Sequence, residues 1–148
     1  MKLAEILSAS RVATGIAVTS KKRALEEIAK LLAQGAPSVS HSEILASLAA
    51  REKLGSTGLS HGVAIPHNRM AGVSTTIGAF IRLKHPVDYD AHDGQPVDLI
   101  FGLLVPQNST GEHLAHLRAI AEKFSDDDFC ASVHAAKDEA AIHALLTS

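Results

Sequence analysis

Two nine-residue stretches, Thr75–Leu83 and Val97–Val105, each contain a near-continuous apolar run. A strand with one wet face alternates apolar and polar residues. These runs do not, so each needs cover on both faces of the sheet it enters. Neither approaches the ~20 apolar residues that a membrane-spanning helix requires. The cover must come from helices, and helical periodicity lies on both sides of this strand-rich middle. A chain of 148 residues suits one domain with its own core. The expected architecture is α/β, a three-layer α/β/α sandwich with a mixed β-sheet of about four to five strands, formed by residues 1–148 as a single domain.

Arg11–Val18 leans toward a strand. Ser20 is placed to cap a helix running to Gln34, in which Leu25, Ile28, Ala29 and Leu32 form an i, i+3, i+4, i+7 stripe, and Gly35 and Pro37 stop it. Ser40 and Glu43 spell a capping box for a second helix, with Ile44, Leu45 and Leu48 facing inward and Arg51 near its end. Leu54–Asn68 changes character. Gly55, Gly58 and Gly62 interrupt it and Pro66 bars a helix, leaving Val63–Ile65 as a short strand. His85–Pro96 reads as a loop or wide hairpin between the two apolar strands. Beyond Pro106, Ser109-Thr110-Gly111-Glu112 repeats the capping-box pattern before a helix with His113, Leu117, Ile120 and Phe124 along one side. Asp126–Asp128 suits the positive end of another helix, and a last one carries Ile142, Leu145 and Leu146.

Fourteen basic residues against sixteen acidic ones leave a net charge of −2, and four Phe, one Tyr and no Trp offer few stacking surfaces. With no basic stripe either, both features argue against nucleic acid as a partner. The lone Cys130 cannot form an internal disulfide. The opening MKLAEILSAS lacks the sustained apolar core of a signal peptide, so a cytoplasmic protein without membrane insertion is expected.

Among nine histidines, His67 is distinguished by its setting. Pro66 fixes the approach, Asn68 tolerates left-handed geometry, and the imidazole would project from a strand-to-loop corner. That setting admits a functional imidazole or a loop histidine bonded to backbone. His113 in the first turn of a capped helix would lie beside free amides, a good place for an anion, or it is a core-edge residue with one satisfied nitrogen. Arg51, Ser56 and Thr57 bracket the glycine-rich turn. A guanidinium and hydroxyls can hold phosphate, though the same residues also build ordinary helix ends and loops. No Walker pattern and no Gly-x-Ser-x-Gly is present. The rival reading is a metal site from His61, His67, His113 and His116, unsupported by a His-Glu-x-x-His motif or a cysteine pair.

Read together, Arg51-Glu52-Lys53-Leu54-Gly55-Ser56-Thr57-Gly58 and Gly62-Val63-Ala64-Ile65-Pro66-His67 resemble enzyme IIA of the mannitol/fructose class of the bacterial phosphoenolpyruvate phosphotransferase system, in its nitrogen-regulatory branch. Ser20–Leu25, Gln95–Leu99, Leu103–Pro106 and His113-Leu114 follow in the family's order. The resemblance implies that His67 is the phosphorylated histidine, served by an HPr-like phosphocarrier, with His113 as second active-site histidine and Arg51 as the site's arginine. Ser56 or Thr57 could add hydroxyls to the phosphoryl group. Such a chain is a phosphoryl carrier rather than a free-standing enzyme, and needs no cofactor. The branch implies regulation of sensor kinases or potassium-transport proteins; a sugar-specific IIA would instead relay phosphate to a IIB transporter domain. The sequence departs from the family at Asn68, where glycine is usual, and at Ser60-His61, where glycine often precedes the motif.

Overall fold

The computed structural model describes residues 2–109 and 111–148, with Glu112 and His113 described by their backbone alone. In chain order the elements are β1 (Val12–Ile16), α1 (Lys21–Gln34), α2 (His41–Lys53), β2 (Val63–Ala64), β3 (His67–Met70), β4 (Ile77–Val87), β5 (Val97–Pro106), α3 (Glu112–Phe124), α4 (Asp127–Ala135) and α5 (Glu139–Thr147). Two short 3-10 turns, Leu3–Glu5 and Ala9–Arg11, precede them and carry no sequence signal of their own.

The apolar runs form the centre of the sheet. β4 and β5 pair antiparallel, Phe80 opposite Phe101, while β1 lies parallel to β4 on one side. On the other side β2 and then β3 run parallel to β5. Consecutive side chains serve opposite layers. Ala79, Ile81, Ile100 and Leu104 pack with Leu25, Ile28 and Leu32 of α1 and with Ile44 and Leu48 of α2. Phe80, Leu99, Phe101, Leu103 and Val105 pack with Ile120, Phe124, Val133, Ile142 and Leu146 of the last three helices. This is the three-layer sandwich, and it explains why neither strand alternates. Each fully buried side chain of this kind contributes roughly 1.5–3 kcal/mol. At Gly102 a Cβ would lie 2.6 Å from Ile28 Cγ1, so α1 rests directly on the β5 backbone.

Capping is local and follows the sequence. Ser20 accepts from the Arg23 amide, the Ser40–Glu43 box forms in both directions, and Asp126 accepts from the amides of Asp128 and Phe129. At the far end of α4, Arg82 Nη1 donates to the Val133 and Ala136 carbonyls, both at 2.8 Å, and satisfies acceptors the helix leaves open.

Several expectations need correction. Residues after Pro66 are not a loop: His67–Met70 pair with Leu103–Pro106 as β3. Asn68 is therefore not left-handed; among the described non-glycine residues only His61 (φ 65°) and Asp90 (φ 58°) have positive φ. β4 continues through His85 and Pro86 to Val87, which pairs with Val97 after a register shift, a place where a strand tolerates proline. The Ser109–Glu112 box does not set the start of α3. The Ser109 amide donates to Pro106 O at 3.0 Å in the turn after β5, and Gly111 takes the N-cap position instead. Thr110 lies outside the described residues.

Candidate functional site

The segment between α2 and β2 has no regular structure and is fastened by side chains. Glu52, 8% exposed, accepts the Thr57 amide at 3.0 Å and also the Thr57 hydroxyl. Lys21 Nζ of α1 pairs with the same carboxylate at 3.0 Å and sits 4.6 Å from the centre of the Tyr89 ring. Thr57 Oγ1 lies 3.3 Å from the Tyr89 hydroxyl. Burial, and then the Glu52 charge, push the Tyr89 phenol far above its ordinary range. Ser56 Oγ donates to Tyr89 O and accepts from the Gly58 amide, each at 3.0 Å.

His67 opens β3. Its Nδ1 lies 2.7 Å from the Ile65 carbonyl oxygen, which can only accept, so in the neutral ring Nδ1 carries the proton and Nε2 the lone pair. Nε2 has no hydrogen-bond partner among the described residues. The ring is half-buried between two hollows. One, about 300 Å³, is walled by Arg51, Ser56, Thr57, Leu59, His92 and Leu117; the other, about 220 Å³, by Asn68, Arg69, Val105 and Leu114. Leu54 and Leu114, 85% and 56% exposed, are the large apolar side chains left open to solvent among the described residues. A larger hollow, about 740 Å³, lies elsewhere, between α1 and α2.

Arg51, Ser56, Thr57 and His67 are thus brought to one cavity. Arg51 Nη1 donates to Gly55 O at 2.9 Å, using one of five guanidinium donors. The Ser56 and Thr57 hydroxyl protons are committed to Tyr89 O and Glu52, so these residues shape the wall. His113 falls in the first turn of α3, but its side chain lies outside the described residues. Three of the four histidines of the metal reading lie apart: His61 Nδ1 bonds Asp127 at 3.0 Å, while His67 and His116 line different cavities. Among the described residues no three His, Cys, Asp or Glu side chains gather as a metal would require.

Sequence reasoning missed Glu52, Tyr89 and His92. For Tyr89 a signal exists, since a lone aromatic in an acidic loop, between Asp88 and Asp90, needs cover for its ring. For His92 there is none, because only the fold brings it to the site; Glu52 sits within the Arg51–Gly58 motif, but no pattern marks its burial or its bond to Thr57.

Residues 5–148 match the family described as "Phosphoenolpyruvate-dependent sugar phosphotransferase system, EIIA 2". The chain belongs to that family. A nitrogen regulatory protein from Pseudomonas aeruginosa is 50% identical to this EIIA 2 chain over 121 residues, covering 82% of this chain and 79% of that protein. The crystal structure of nitrogen regulatory protein IIA-Ntr from Neisseria meningitidis has a TM-score of 0.92 to it at 49% identity, covering 98% of this chain and 99% of that one. IIA mannitol from Escherichia coli shares the fold, with a TM-score of 0.78 at 20% identity over 95% of this chain and 98% of that one. Against this EIIA 2 background the two departures acquire physical content. Asn68 Nδ2 donates to Ser47 O and Oγ, tying β3 to α2, and His61 holds a left-handed backbone that glycine would adopt without strain. No helix among the described residues is long and apolar enough to cross a membrane.

Proposed function

We propose that this chain is a phosphoryl-accepting regulatory protein, charged at His67 by an HPr-like phosphocarrier, whose phosphorylation state governs its binding to target proteins. The observation that carries this reading is the His67 imidazole, which lines one cavity with Arg51, its Nδ1–H held by Ile65 O and its Nε2 without a hydrogen-bond partner among the described residues. In the transfer the Nε2 lone pair forms the new N–P bond as the bond from phosphorus to the carrier's nitrogen breaks. The electron pair returns to the carrier, and the Nδ1 proton stays in place. Such chemistry asks mainly for positioning and charge stabilisation. Arg51 supplies a permanent cation, worth about 4 kcal/mol against one anionic oxygen at ~4 Å and effective dielectric ~20 before desolvation. His113, at the N-terminus of α3, is proposed as the second histidine, where helix amides also favour an anion. Exposed Leu54 and Leu114 give the rim an apolar element suited to a protein partner. The regulatory role, rather than relay to a IIB domain, is favoured by relatives at about half identity that carry the nitrogen-regulatory name.

Intact-mass spectrometry after incubation with phosphoenolpyruvate, enzyme I and an HPr-like carrier tests the reading. One acid-labile phosphoryl group is expected on the wild type and none on His67→Ala. No addition to the wild type, with an active carrier in the same tube, would overturn it.

A further inference from the structure

We infer that Glu52 is a positioning residue for His67, acting through Thr57 and Ile65 to fix the imidazole tautomer that leaves Nε2 as acceptor; the consequence for transfer rests on the phosphoryl-acceptor reading, the tautomer does not. Ile65 lies in a gap of the sheet. β2 ends at Ala64 opposite Ile100, and β3 begins at His67 opposite Leu103. The Ile65 amide accordingly gives its hydrogen bond not to β5 but to Thr57 O, at 3.1 Å. The Ile65 carbonyl then takes the Nδ1 proton of His67. Pro66, with φ locked by its ring, leaves the Ile65–Pro66 peptide that carries this carbonyl to turn chiefly about ψ of Ile65, the residue whose amide Thr57 O holds.

What holds Thr57 is Glu52. One carboxylate binds both the amide and the hydroxyl of Thr57, and Lys21 balances its charge. The result is one continuous series of contacts from α1 to the reacting ring, Lys21 to Glu52 to Thr57 to Ile65 to His67. Remove the carboxylate and the Thr57 amide is left buried without an acceptor, so the loop must move to find one. The Ile65 carbonyl moves with it, and the imidazole is released to sample both neutral tautomers. In the wrong tautomer Nε2 carries a proton and cannot attack phosphorus.

The test reads the His67 tautomer directly, by long-range proton–nitrogen correlation NMR on the full chain labelled with nitrogen-15 histidine, alongside the rate of transfer from the phosphorylated carrier. Wild type should show the Nδ1–H form alone. Glu52→Ala should show both forms and transfer about tenfold more slowly, in line with the cost of small misplacements at a reacting centre. Glu52→Gln, whose amide can still accept the Thr57 amide and bond its hydroxyl, should restore the single tautomer and most of the rate. A wild-type tautomer in Glu52→Ala overturns the inference, as does a failure of Glu52→Gln to restore it. Should Glu52→Ala not fold, Thr57→Val carries the test, since it deletes the hydroxyl link alone: a partial shift of tautomer supports the relay, and none overturns it. If wild-type His67 takes no phosphoryl group, the functional reading fails while the NMR result still decides the relay.

Discussion

Of the histidines that line cavities in this protein, His67 and His116 have opposite surroundings. His67 is half-buried in a cavity shared with Arg51, with one nitrogen bound to Ile65 O and the other without a partner among the described residues. His116 is only 5% exposed, and neither ring nitrogen has a hydrogen-bond partner among the described residues. Its cavity, about 500 Å³, is walled by hydroxyls of Ser74, Thr75 and Thr76 together with Asn108, Ser109 and Glu5, none of which bonds the ring. Burial alone therefore does not equip an imidazole for chemistry. A nucleophile needs one nitrogen committed and the other available, whereas His116 only bears the cost of leaving water, about 1–3 kcal/mol for an unpartnered polar group.

The sharpest break in this comparison is functional. His67→Gln should lose all phosphoryl incorporation by intact mass while His116→Leu keeps it; incorporation lost in both would erase the distinction. Next in size, Arg51→Ala should slow transfer about a hundredfold, the usual cost of losing one donor that stabilises developing charge. Arg51→Lys should recover only part of that, since an ammonium lacks the planar fork. Stability should run the other way. Urea unfolding should show His116→Leu more stable than wild type by about 1–3 kcal/mol, because the apolar replacement removes an unsatisfied group; a lower midpoint at unchanged slope would contradict it. The smallest effect concerns Tyr89, buried like His116 but furnished with partners. It is the chain's one tyrosine, so absorbance titration reads it alone. Its folded pKa is raised by burial and by Glu52. Below the ordinary tyrosine value of about 10 both folded and unfolded chains hold the proton, and stability is unaffected. Above it the unfolded chain sheds the proton that the fold retains, so stability should fall as pH rises, with phenolate appearing only as the protein unfolds.

What was legible in the sequence is what neighbouring residues decide. Ser20, Ser40 with Glu43, and Asp126 cap helices because their side chains reach amides two or three positions away. The apolar runs announced a covered sheet because alternation fails only when both faces are dry. The illegible parts depend on distant residues. β3 exists because Leu103–Pro106 offer it a ladder, and His67–Met70 alone show no strand pattern. At Ser109 the capping-box pattern is overridden by the turn closing β5, in which Pro106 O accepts the Ser109 amide. In the candidate site, His67 stands out by its setting and Arg51 by the glycine-rich turn it brackets, and the family resemblance adds to both, while Glu52 is bonded to the neighbouring loop and Tyr89 to a residue 32 positions away.

The break at Pro66 has one more effect, on how other chains can meet this sheet. The outer strand beside β5 is divided into a two-residue and a four-residue piece. Loop residues already occupy the first, with the Leu59 amide on Val63 O at 2.7 Å and the Ile65 amide on Thr57 O. No long row of open amides remains there for a foreign strand to extend, the device by which natural sheets avoid edge-to-edge aggregation. Strand addition at Val63–Ala64 is thereby blocked, and β3 offers only four residues to a strand laid beside it.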